Sequence, residues 1–91
     1  MVNYPQEPKL MTIHFHLYSS DGCHLCEQAL VLINDVIPDH QLRVVDIVED
    51  NIEGQDLVQL YGVHIPVLER LADESKLFWP FDKTQVIEFN K

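Results

Sequence analysis

The sequence predicts an α/β domain whose elements run βαβαββα, a mixed four-stranded sheet flanked by helices, and three observations carry that expectation. Hydrophobic periodicity changes from two residues to about 3.6 after Gly22, then back to a continuous apolar run from Gln41. Two later helix starts carry capping-box spacing. Between them, two apolar runs flank a short polar turn, the signature of an antiparallel hairpin.

Residues 1–10 hold Pro5 and Pro8 among polar neighbours, which suits an extended lead-in, and residues 11–91 are expected to form one domain. Thr12 to Tyr18 alternates with period two, so a strand is expected with Ile13, Phe15 and Leu17 on one face and a loop from Ser19 to Gly22. Leu25, Ala29, Leu32, Ile33, Val36 and Ile37 then fall on one helical stripe that Pro38 should stop, which places Cys23 at the helix N-terminus. Gln41 to Ile47 is largely apolar and rich in β-branched residues, as expected of a strand covered on both faces in a parallel pair with a right-handed crossover.

Asp50 and Glu53 have capping-box spacing, and the helix they imply should end near Tyr61, with Gly62 in the left-handed cap position. Val67 to Leu71 and Lys76 to Trp79 read as the hairpin. A last helix follows, with Asp82 and Gln85 at capping-box spacing, Phe81 and Val86 at staple positions, and Val86, Ile87 and Phe89 as its apolar face.

Composition narrows the function classes. At 91 residues, 46% hydrophobic and 9% aromatic, the chain is large enough for one small core and too apolar for disorder. A net charge of −9, from 15 acidic against 6 basic side chains, repels phosphate backbones and anionic bilayers, so neither nucleic acid nor membrane is an expected partner. The first residues lack both a basic n-region and an apolar h-region, and no apolar run reaches the roughly 18 residues of a membrane span. A cytoplasmic monomer is expected.

Two cysteines, Cys23 and Cys26, are the whole supply, too few and too close for a secreted disulfide framework. A cysteine at a helix start faces free backbone N–H groups and the positive end of the helix dipole, which favour thiolate over thiol. Cys23 is therefore the expected nucleophile and Cys26, one turn deeper, the resolving thiol. His24 would add positive charge beside the thiolate, whereas Asp21 and Glu27 would oppose it. A rival arrangement is a metal site or interaction module using the same pair, with His24 and a distant histidine as further ligands. Only one Cys-x-x-Cys pair and five scattered histidines are present, which is thin support for structural zinc, and no metal is expected. His14 and His16 share a strand face and read as ordinary sheet residues, while His40 falls in a turn.

The run Leu17-Tyr18-Ser19-Ser20-Asp21-Gly22-Cys23-His24-Leu25-Cys26-Glu27, the later Tyr61-Gly62-Val63-His64-Ile65-Pro66-Val67 and the closing Phe78-Trp79-Pro80-Phe81-Asp82 together resemble the short bacterial glutaredoxin-like proteins. The resemblance extends from about Met11 onward. It implies a thioredoxin fold, a thiol-disulfide oxidoreductase role, and a disulfide-containing protein or small thiol as substrate. It also implies that Pro66 is a cis-proline beside the dithiol and that Ile65 offers its backbone to a docked substrate in strand-like pairing. The chain departs from glutathione-dependent relatives in having His24-Leu25 between the cysteines and Asp21-Gly22 before them. It also lacks a recognisable glycine pair and aspartate for gripping glutathione. No cofactor is expected; glutathione is the one candidate, and these departures and the chain's own negative charge count against it.

Overall fold

The computed structural model describes residues 13–91, so the lead-in expected at residues 1–10 lies outside the described residues. Strand β1 (Phe15–Ser19) is followed by α1 (His24–Asn34), a single 3-10 turn at Asp39–Gln41, β2 (Leu42–Asp46), α2 (Leu57–Tyr61), β3 (Val67–Arg70), β4 (Ser75–Phe78) and α3 (Lys83–Phe89). The strands lie in the order β2-β1-β3-β4. β1 and β2 run parallel, with Phe15 opposite Leu42 and Ser19 opposite Asp46. The β1–β3 and β3–β4 pairs are antiparallel. Element order, mixed sheet and helices on both faces make this the thioredoxin fold.

Alternation along β1 divides the core between those faces. Phe15 and Leu17 point to one side, where with Leu42 and Leu68 they pack against Ala29 and Ile33 of α1, Ile37, Phe81 and Val86 of α3. Tyr18 points to the other side, where it joins Val45, Ile47 and Val67 beneath Leu57 and Tyr61 of α2. Among the described residues no helix is long and apolar enough to cross a membrane.

Several boundaries differ from the sequence expectation. β1 begins at Phe15, leaving Ile13 and His14 outside it, while Thr12 lies outside the described residues; it takes in Ser19, because the parallel partner strand supplies pairing as far as Asp46. α1 stops at Asn34 instead of running to Pro38. Val36 and Ile37 leave it through a turn in which the Ile37 N–H donates to the Ile33 carbonyl at 2.8 Å, and Ile37 is still buried. The buried stripe of α1 is Cys26, Ala29 and Ile33, whereas Leu25 is 46% exposed. β2 buries a residue on each face, Leu42 on one and Val45 on the other, but its cover is incomplete. It is one of the two outer strands, and Arg43 and Val44 are exposed.

The second helix starts at Leu57, capped by Asp56, whose carboxylate accepts from the Gln59 N–H. Asp50 does not cap it. Its carboxylate instead accepts the Asp46 N–H at 2.8 Å and closes the turn after β2. Gly62 has right-handed φ of −54°, not the left-handed cap, and glycine is required there for space: a β-carbon would lie 2.5 Å from the Val58 carbonyl oxygen. The hairpin turn contains Glu74 at φ 61° and is clamped by the Arg70 guanidinium on Asp73, which holds the Asp73 carboxyl far below its ordinary range. In α3 both halves of the Asp82–Gln85 capping box form, and Phe81 and Val86 are buried. Ile87 faces outward at 41% exposure, since the α3 contact runs through Val86 and Phe89.

Candidate functional site

The chain leaves β1 through the turn Ser20-Asp21-Gly22, where Gly22 takes φ of 80°, a conformation that glycine adopts without strain. That reversal delivers Cys23 to the N-cap of α1 with extended φ and ψ of −85° and 104°. The Cys23 Sγ accepts the Cys26 backbone N–H at 3.1 Å, and the Cys23 carbonyl accepts from the Glu27 N–H at 3.1 Å. The first sulfur thus occupies the place of a capping side chain. An N–H donor and the helix dipole both favour negative charge on it once the pair is reduced.

Cys23 and Cys26 are joined as a disulfide with Cα atoms 5.2 Å apart. Cys26 is buried, at 3% exposure, whereas Cys23 is half-buried and reachable from solvent. His24 and Glu27 form an exposed pair, with Nδ1 3.8 Å from Oε1, and Asp21 is exposed on the turn. Beside the turn opens a cleft of about 650 Å³ lined by Ser19, Ser20, Asp21, Val44, Asp46, Val48 and Glu49.

Val67 stands opposite Tyr18 in the β1–β3 register, so Pro66 lies at the end of the sheet from which the chain passes to Cys23. Pro66 is buried, Ile65 is half-buried, and the bond between them is cis, as is Trp79–Pro80. The Ile65 N–H already donates to the Tyr61 carbonyl at 3.0 Å, and the Pro66 carbonyl accepts from the Trp79 N–H at 3.3 Å. The Ile65 N–H is therefore already engaged within the chain. Among the described residues no three His, Cys, Asp or Glu side chains come together as a metal site.

A polar cluster on the α2 face of the sheet escaped the sequence reading. Glu69, 8% exposed, accepts the Tyr18 O–H at 2.6 Å, and its other oxygen lies 3.5 Å from Lys76 Nζ. The Tyr18 ring stacks on Tyr61 with centroids 4.1 Å apart, and His16 Nδ1 is 3.4 Å from the Tyr18 oxygen. Burial, then the Glu69 hydrogen bond, pushes the Tyr18 phenol well above its ordinary pKa. Burial, helped by the Arg43 charge and opposed by Glu69, holds His16 below its usual value. The available signal was parity: Glu69 falls on the same strand face as Val67, which reads as core.

The family model described as Glutaredoxin-like domain (DUF836) matches residues 14–89. The chain is similar to the structural-genomics target protein XcR50 from X. campestris. The X-ray structure of XcR50 is 30% identical with a TM-score of 0.64, the match covering 84% of this chain and 93% of that one. Its solution structure gives the same identity and TM-score, covering 86% and 92%. No curated protein matches the chain.

Proposed function

Because the chain belongs to the glutaredoxin-like domain family, we propose that Cys23 and Cys26 are its working pair and that the protein is a thiol-disulfide oxidoreductase. The observation that carries this reading is the placement of the two sulfurs. One is half-exposed at a helix N-cap with a backbone N–H aimed at it, and the other is bonded to it and buried one turn further on.

In the reducing direction the Cys23 thiolate attacks one sulfur of a substrate disulfide, forming a mixed disulfide and expelling the other sulfur as a thiolate that takes up a proton. The Cys26 thiol then loses its proton and attacks Cys23 Sγ. The substrate leaves with both sulfurs as thiols, and the protein carries the Cys23–Cys26 disulfide, two electrons having passed to the substrate. Ile65 and Pro66 border the docking groove in this reading, and His24 and Asp21 adjust the charge around Cys23. The substrate is a disulfide-containing protein or a small disulfide of the cytoplasm, and the net charge of −9 disfavours anionic glutathione as a tight partner.

Reduction of insulin disulfides, followed by turbidity with dithiothreitol as electron source, tests the proposal. Wild type should accelerate precipitation above the dithiothreitol background, and Cys23→Ser should return it to that background. A wild type indistinguishable from Cys23→Ser would overturn the reading.

A further inference from the structure

The Tyr18–Glu69 cluster lies on the opposite face of the sheet from the helix that carries the dithiol, and the exchange chemistry does not use it. Three of its members, Tyr18, Tyr61 and Glu69, nevertheless sit on segments that lead to the site. Tyr18 is the last residue but one of β1, the strand that feeds the turn to Cys23. Tyr61 ends α2, and its carbonyl accepts the N–H groups of both His64, at 2.8 Å, and Ile65, at 3.0 Å, directly before Pro66. Glu69 lies in β3, which begins directly after Pro66. The Ile65–Pro66 segment is thus held at both ends through one side chain: the Tyr18 ring stacks on Tyr61 ahead of it, and the Tyr18 O–H is bonded to Glu69 behind it.

The two contacts constrain different things. Stacking keeps the Tyr18 and Tyr61 rings face to face, centroids 4.1 Å apart, whereas the buried 2.6 Å O–H···O bond to a carboxylate is short and directional. An apolar pair of similar volume would fill the same space, so packing alone does not call for a buried carboxylate here. What the hydrogen bond adds is a single setting of the Tyr18 ring, and with it a single setting of Tyr61 and the segment its carbonyl holds. We infer that Tyr18 and Glu69 are positioning residues, which fix the Ile65–Pro66 segment against the dithiol and so set how well polypeptide disulfides dock, without touching the reacting sulfurs. This rests on the thiol-disulfide reading of the site.

The test compares two substrates in single turnovers of the pre-reduced full-length protein: insulin, which must dock, and bis(2-hydroxyethyl) disulfide, which is small and uncharged. Tyr18→Phe keeps the stacked ring and loses the hydrogen bond. Glu69→Leu removes the acceptor, and Glu69→Gln restores an acceptor oxygen without the charge. Tyr18→Phe and Glu69→Leu should slow insulin reduction about five- to tenfold, the scale of one lost hydrogen bond, while the small disulfide stays within about twofold of wild type. Glu69→Gln should recover most of the insulin rate, and the reduction potential of the pair should be unchanged throughout.

Equal slowing of both substrates would mean a general structural role and overturn the inference, as would an insulin rate unaffected by Tyr18→Phe. A wild type that reduces neither substrate would overturn the thiol-disulfide reading and the inference with it. Should Glu69→Leu fail to fold, Tyr18→Phe, which removes one oxygen, decides the question alone.

Discussion

The two faces of the sheet are built on different principles. On the α1–α3 face, Phe15, Leu17 and Leu68 meet Ala29, Ile33, Ile37 and Val86, all apolar and almost wholly buried. On the α2 face, Val45 and Val67 share the interior with Tyr18, Tyr61 and Glu69, with His16 and Lys76 at its margin. Apolar contacts are non-directional and tolerate small shifts, while a buried hydrogen bond to a carboxylate specifies one arrangement and is costly to leave half-made. The first face is therefore held by packing alone. The second determines where the segment before β3 sits.

That contrast can be broken by substitution. Leu17→Ala, at a site 1% exposed beneath two helices, should lower stability by about 3 kcal/mol in urea unfolding, the centre of the range for large-to-small changes in a core. Tyr18→Phe should cost about 2 kcal/mol, because it leaves the Glu69 carboxylate buried without its donor while removing almost no apolar surface. A neutral Tyr18→Phe would erase the distinction between the faces.

The pH dependence sharpens the same comparison. The Tyr18 phenol has a raised pKa when folded, so the unfolded chain loses that proton first. Its contribution is fully present below about pH 10 and falls as pH rises beyond that, by up to about 1.4 kcal/mol per pH unit. Denaturation of the disulfide-intact protein in alkaline buffers should show this extra slope in wild type and lack it in Tyr18→Phe. The smallest effect expected is that of Asp82→Ala, about 1 kcal/mol from loss of the α3 capping box, with no change in insulin reduction.

What the sequence made legible was local. The period change around Gly22, the dithiol at a helix start and the Asp82–Gln85 box each depend on residues a few positions apart, and each formed as read. The α1 end was misplaced because the stripe through Val36 and Ile37 records burial, and Ile37 is buried from a turn as well as it would be from a helix. Asp50 carries a capping signal that the turn after β2 uses instead. The exposure of β2 depends on its outer place in the sheet, which no single segment encodes. Tyr18 and Glu69, 51 positions apart, meet only through the β1–β3 register, so neither residue announced the other. The dithiol could thus be located from sequence, whereas the groups that hold its neighbouring segment could not.

The most direct test of the central claim is a redox titration of the Cys23–Cys26 pair against graded glutathione and dithiothreitol buffers, read by thiol alkylation and mass. A working couple should give one reversible two-electron transition between about −180 and −300 mV, abolished in Cys23→Ser. A pair that forms no intramolecular disulfide anywhere in that range, or one that cannot be reduced within it, would contradict the account.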